Sequence, residues 1–473
     1  MNARFVERKF TTRGAIRNRP GFCVTLPKSA ETMTDAVAIT IFLLLTAGLA
    51  WRARGAQSVG EYFTAGGKMS WMLAGLSMAA TTFAADTPLA VAELVRRHGV
   101  SGNWFWWNMM AGGMLTAVFF ARYWRRAGVT TDVELAAIRY SGKPARILRL
   151  VKAVYFGWLL NAVALGWVNL AMISLLQAYF GVGYWKAFAW TSAATVLTTL
   201  YTAVTGLRGV VWADAMQFAV AMIGCTVLAV FAVHAVGGIE NINALGDATN
   251  FFPGEGGLRL ETGAFIAMMV LQWWASWYPG NEPGGGGYIS QRLIAAKNET
   301  HARAAAFFFQ FLHYAVRPWP WILVALACFV LYPDVPADEH RMTYVYAIRD
   351  LLPEGWRSLL LVAFLAAYMS TVSTHLNWGA SYLVNDFLLP LRPALKHPQR
   401  FVVWATLLPA ATGLIAAAVS DSVSGAWKFL IECGAGMGGV LIARWYWRRV
   451  SAYSELTAMI VPVIVFGIQK SWF

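Results

Sequence analysis

Apolar residues recur along this chain in runs close to the ~20 residues that span the hydrocarbon of a bilayer, separated by short polar stretches. The pattern predicts spanning helices at 34–51, 70–92, 104–121, 150–177, 184–203, 207–236, 262–279, 304–333, 357–387, 399–419, 424–447 and 455–470. The run at 70–92 is interrupted. Its stretch Gly75-Leu-Ser-Met-Ala-Ala-Thr-Thr-Phe-Ala-Ala-Asp-Thr-Pro88 is small, hydroxylated and acidic. Pro88 removes a backbone donor and disfavours helix at the residue before it. Lipid offers no hydrogen bonds to an unravelled backbone, so such a break implies surrounding protein or a polar cavity.

A second interruption closes the run at 262–279. Trp273-Trp274-Ala-Ser-Trp277-Tyr278-Pro279-Gly-Asn-Glu282-Pro283 leads into Gly284 to Gly287, and this density of proline and glycine cannot continue a regular helix. Counting five spans from each break gives halves 70–236 and 262–447. An odd number of spans makes the halves insert with opposite topology, and interrupted helices at matching positions of inverted halves point to a secondary-transporter site. The expected fold is an all-α polytopic membrane protein built as an inverted five-plus-five helix repeat. An extra N-terminal helix with its loop lies in 34–69, and a short C-terminal helix in 448–473.

Composition agrees: 58% of the 473 residues are hydrophobic and 13% are charged, about half the charge of a soluble domain. The net charge of +14 lies in short loops between spans, which reads as topology rather than as a nucleic-acid surface. The richer set includes Arg122, Arg125, Arg126, Arg139, Arg149, Arg292, Lys297, Arg303, Arg444 and Arg448; the poorer includes Arg96, Arg97, Arg259, Arg341 and Arg349. The positive-inside rule puts the richer set in the cytoplasm and the N-terminus outside. Residues 1–33, basic and broken by Pro20 and Pro27, have no apolar core and read as a disordered arm rather than a secretory signal. That arm conflicts with the orientation; Met33 begins a plausible compact protein, which reads the arm as an artefact of start-site choice. Cys23, Cys225, Cys328 and Cys433 show no ligand spacing, and the last three read as buried, inert thiols.

Four stretches in this order resemble the sodium:solute symporter family: Tyr62-Phe-Thr-Ala-Gly-Gly-Lys-Met-Ser-Trp71; Tyr201-Thr-Ala-Val-Thr-Gly-Leu-Arg-Gly-Val-Val-Trp-Ala-Asp214-Ala-Met-Gln217; Gln291-Arg-Leu-Ile-Ala-Ala-Lys297; and Met369-Ser-Thr-Val-Ser-Thr-His-Leu-Asn377. The match covers about 34–465 and implies the leucine-transporter type of fold. It further implies a sodium site with side-chain oxygens from Ser370 and Thr371 and backbone carbonyls from Ala80, Phe83 and Ala367. Physically, Na⁺ wants oxygen, and helix breaks expose carbonyls at the midplane. On pattern alone, Ser370 and Thr371 can equally back-bond inside their helix. Asp214 matches an aspartate near the family's cytoplasmic sodium exit path; the alternative is an interfacial carboxylate beside Arg208.

Solute candidates cluster at the two breaks: Thr82, Asp86, Thr87, Trp277, Glu282 and His313. Thr82 departs from the asparagine or aspartate common in relatives, and His313 falls where a sugar-transporting relative has a lysine. His313 can hydrogen-bond, titrate or simply pack. Asp86 either draws cations inward or takes a salt bridge. The tryptophans at the second break line a cavity or belong to packing and interface. Arg317 pairs with Asp86, Glu282 or a substrate carboxylate.

The resulting reading is a sodium-coupled symporter of the inner or plasma membrane, importing a small organic solute by alternating access. Na⁺ is its coupling ion and the bilayer its medium, with no organic cofactor, transition metal or nucleic-acid partner. No His-Glu-x-x-His, Gly-x-Ser-x-Gly or Walker loop suggests an enzyme or an ATP-driven pump. A proton-coupled carrier, a uniporter and a sensory membrane protein are the alternatives. Family members usually continue beyond the loop at Arg444–Glu455, so further peripheral helices are expected outside this sequence.

Overall fold

The computed structural model describes residues 28–53, 58–254, 257–271, 284–395, 398–419, 429, 433–434 and 436–472. Most of the basic arm, Trp277 and Glu282 lie outside them. Among the described residues there are helices and no strands, apart from one bridge between Met69 and Ala296. The first helix, α1 (Lys28–Arg52), starts at Lys28 rather than Thr34.

The interrupted run forms two helices, α2 (Trp71–Thr81) and α3 (Thr87–His98). Ser70 caps α2, its hydroxyl accepting the Leu73 N–H at 3.3 Å. At the other end the Thr82 hydroxyl donates to the carbonyls of Ala79 (2.9 Å) and Met78 (3.2 Å), satisfying acceptors the ended helix leaves over. Pro88 sits in the first turn of α3, where its missing N–H leaves no donor unused.

The chain continues through α4 (104–127) and α5 (Gly142–Phe180), which contain π turns at Thr116–Phe120 and Tyr155–Leu160. Next comes α6 (Tyr184–Ala235), whose two limbs meet at Gly206. There φ is +61°, and a Cβ would lie 2.7 Å from the Tyr62 carbonyl oxygen, so both conformation and space call for glycine. The expected spans 184–203 and 207–236 are these limbs.

The second half holds α7 (Thr262–Leu271), α8 (Gly287–Ile294), α9 (Glu299–Leu331), α10 (Glu354–Leu391), α11 (Gln399–Val419) and α12 (Gly438–Tyr446). A last helix, α13 (Ala452–Trp472), follows. The short helix α8 is the far limb of the second break, as α2 is the near limb of the first. Among the long helices α10 is the most enclosed.

Leu44, Leu200, Ile223, Trp404 and Ile415 are exposed on the outer surface, while Asp214, Arg292, Ser370 and Thr374 are fully buried. Apolar outside and ionisable inside inverts the soluble pattern and fits a lipid surround. Cys225, Cys328 and Cys433 are buried and form no disulfide among the described residues.

Candidate ion and solute site

The centre of the structure is a polar knot between the first break and α10. Two hydroxyl pairs at i, i+4 spacing face one another, Ser77 and Thr81 on α2 and Ser370 and Thr374 on α10. Asp214, on the second limb of α6, accepts from Ser77 Oγ at 2.5 Å and from Ser370 Oγ at 2.6 Å. Arg292, on α8, approaches the same carboxylate at 3.6 Å. Its guanidinium also donates to Ser77 Oγ (3.1 Å), Gln291 Oε1 (2.8 Å) and Thr374 Oγ1 (2.7 Å). Thr374 in turn meets Thr81 Oγ1 at 2.9 Å. Gln291 donates to Asn377 Oδ1 at 2.9 Å and to the Phe63 carbonyl at 3.1 Å. One carboxylate and one guanidinium thus join four elements through neutral hydroxyls and amides.

This corrects the reading of Arg292 as a loop cation. It lies on a half-helix and is fully buried. Docking of α8 against α2 and α10 places it there. The chain flanking the two half-helices also pairs, Met69 N–H to the Ala295 carbonyl at 3.0 Å and Lys297 N–H to the Met69 carbonyl at 2.9 Å. Asp214 is likewise no interfacial acid beside Arg208, which is exposed while Asp214 is buried against Arg292.

Beside the knot lies a narrow void lined by Ala80, Phe83, Ala367 and Ser370, together with Gln217, Phe218 and Ala221. Thr371 is not in its lining. Its hydroxyl donates to the carbonyls of Thr81 (2.9 Å) and Ala367 (3.1 Å), so it bridges the end of α2 to α10. The carbonyl of Ala80 accepts the Phe83 N–H at 3.0 Å within the break.

On the other side of the break, Thr82, His313 and Arg317 converge. Thr82 Oγ1 meets His313 Nδ1 at 3.0 Å, and Arg317 Nη1 donates to Thr82 Oγ1 at 2.8 Å. Arg317 also donates to the Ala79 carbonyl at 3.0 Å, a cation set against the negative end of α2. His313 is packed edge-on to Trp106 and beside Tyr314. Asp86 is buried at the start of α3. Thr87 follows it directly, its hydroxyl donating to the Thr82 carbonyl at 3.5 Å.

Sequence reasoning did not assign Ser77, Thr374, Arg292 or Gln217 to the site. The facing i, i+4 hydroxyl pairs were the available signal for the first two.

Two half-helices meeting over a buried ionisable knot, in two inverted halves, define a secondary-transporter architecture of the leucine-transporter type. The sodium:solute symporter family profile matches residues 62–466, and the chain belongs to that family. It is similar to the human sodium/iodide cotransporter (Homo sapiens), 26% identical over 83% of this chain and 61% of that protein. It is also similar to a sodium/glucose cotransporter 4 (Danio rerio), 26% identical over 79% and 60%, and a sodium/glucose cotransporter 2 (Rattus norvegicus), 24% identical over 93% and 68%. The chain therefore spans about three fifths of the length of the first two of these relatives.

Among solved structures, a Na⁺-coupled sialic acid symporter in a substrate-bound outward-open state superposes with a TM-score of 0.74. It is 18% identical, over 94% of this chain and 97% of that one. Mhp1, a nucleobase-cation-symport-1 family transporter, superposes at 0.53 with 14% identity, over 86% and 93%. These likenesses establish the fold.

Proposed function

We propose that the chain is a sodium-coupled symporter of a small organic solute, with Na⁺ held at the first break and solute between the two breaks. The observation that carries this reading is the meeting of the broken end of α2 with α10, where Ala80, Phe83, Ala367 and Ser370 line one narrow gap and Thr371 bridges Thr81 to Ala367. Family membership, and relatives named as sodium cotransporters, support it. The donor set suits a hard cation: serine and threonine hydroxyls and carbonyls at a helix break supply oxygen without adding charge. Thr371, bridging Thr81 and Ala367, sits where its oxygen can turn from carbonyl to ion.

Asp214 and Arg292 then stand on the exit side of that site. With the Met69 to Lys297 pairing, their knot closes the face carrying the richer basic loops, which we assign to the cytoplasm. Inward release requires α2 and α8 to separate. Na⁺ favours the closed arrangement by binding α2 and α10 together, and coupling is the difference in affinity of both ligands for the two states. The solute meets Thr82, His313 and Arg317, whose donors suit an acceptor-rich molecule; Asp86, Thr87, Trp277 and Glu282 are further candidates.

The test is uptake of sugars, amino acids and carboxylates into proteoliposomes of the purified protein under an inward Na⁺ gradient. Accumulation that needs Na⁺ and persists without a proton gradient is expected. Equal uptake in K⁺, or uptake driven by protons alone, would favour the uniporter or proton-coupled alternative.

A further inference from the structure

Basic and aromatic side chains gather where the end of α4 meets the end of α12. The Arg122 guanidinium lies 4.7 Å over the Tyr123 ring, and its Nη2 donates to the Tyr123 hydroxyl at 2.9 Å. Tyr123 stacks on Trp445 at 5.7 Å, and Trp445 meets Trp124 edge-on at 5.0 Å, so an aromatic ladder runs inward from Arg122. Tyr446 joins it, edge-on to Phe120 at 5.9 Å. Arg448 and Arg449 follow in the turn that leads to α13, and both are exposed. Among the described residues none of these three arginines is in an ion pair, and Glu299 is taken by Arg126. Arg122 Nε is buried and makes no hydrogen bond among them. Tyr446 and Trp447 are 58% and 59% exposed, as amphipathic rings are at the headgroup level of a bilayer.

We propose that this corner binds the headgroup of an anionic phospholipid, its phosphodiester held between Arg122 on α4 and Arg448 and Arg449 beyond α12. The phosphate supplies the negative charge that the three guanidiniums lack, and their planar forks suit its oxygens. Phe119 is exposed one turn before Arg122 and Tyr123, so the acyl chains have an apolar helix face to follow from the same corner. Scattered loop arginines set topology, but these come from two segments that only folding brings together. The lipid then ties α4 to α12, whose Arg444 is already held by Glu455, and its binding registers as stability.

The experiment follows thermal unfolding of the full chain in detergent micelles as dioleoyl phosphatidylglycerol is added at constant ionic strength. The parent should gain stability saturably, and neither phosphatidylcholine nor inorganic phosphate should reproduce the gain. In the Arg122→Gln, Arg448→Gln, Arg449→Gln triple variant the half-effective mole fraction of phosphatidylglycerol should rise about a hundredfold, about fivefold for each arginine. The Arg448→Gln, Arg449→Gln pair changes only the exposed turn and carries the test if the triple variant misfolds, with a rise of about twenty-five-fold. Lys143→Gln, Arg146→Gln, Arg392→Gln removes the same charge from other exposed positions and should respond as the parent does. An equal rise in that control would make the effect one of overall charge and overturn the site. Equal stabilisation by phosphatidylcholine, or the full gain from inorganic phosphate, would overturn the lipid as its occupant.

Discussion

Two buried carboxylates show how differently this molecule uses the same group. Asp214 is held by two hydroxyls and, at 3.6 Å, by one guanidinium. Glu455, at the start of α13, is held by the Lys152 ammonium, by Arg444 Nη1 at 3.4 Å and by the Tyr140 hydroxyl at 2.6 Å. Two direct cations clamp Glu455 to α5 and α12, in a cavity that Gly287 of the second break also lines. Asp214 is surrounded by donors that can be exchanged one at a time, all on elements that form the breaks or line the void. A clamp of the first kind fastens a helix that does not change partners. A loose knot of the second kind can open when α2 and α8 part, and its hydroxyls can turn toward an ion.

The largest expected effect breaks the clamp. Glu455→Ala strands Lys152 and Arg444, and removal of one partner from a buried ionic group costs about 3–5 kcal/mol. Denaturant or thermal unfolding should show that loss, while the Na⁺ concentration for half-stabilisation stays unchanged. A shift in the Na⁺ response would erase the distinction between the two regions. Next is Ser370→Ala, which removes a hydrogen bond to a carboxylate, worth about 1.5–3 kcal/mol, and one lining oxygen of the void. Here the Na⁺ response should weaken about tenfold, more than the change in Na⁺-free stability suggests.

Thr374→Val should fall at the low end of that range, about 1.5 kcal/mol, because it deletes the acceptor of one of the several hydrogen bonds of the Arg292 guanidinium and the contact to Thr81. Its signature is local: faster hydrogen exchange at the end of α2 with exchange in α13 unaltered. The smallest effect belongs to Arg126→Ala. Its pair with Glu299 is 2.9 Å long but both side chains are well exposed, so melting should not move measurably.

Much of this architecture was legible in the chain because it rests on local chemistry. Pro88 and the small residues before it end a helix wherever they occur, and α2 and α3 divide there. Gly206 likewise divides α6. Arg292 was not legible. After a glycine-rich break, with Lys297 and Arg303 following, it reads as one more loop cation. Only the docking of α8 against α2 and α10 reveals it as the partner of Asp214. That Gln217 lines the gap beside Ser370 was not legible either, since nothing local marks which face of an apolar helix meets it. Ser370 and Thr371 drew their meaning from resemblance, because isolated hydroxyls in a helix back-bond as readily as they bind. Trp277 and Glu282 lie outside the described residues, and the solute side of the site rests on Thr82, His313 and Arg317.

The central claim is that Na⁺ binds where the first break meets α10. Equilibrium binding of radioactive sodium to the purified protein, without solute, tests it most directly by comparing the parent with the Ser370→Ala, Thr371→Ala double variant. The account predicts saturable binding by the parent and its loss in a double variant that still melts cooperatively. Equal binding by both proteins would place the ion elsewhere and contradict it.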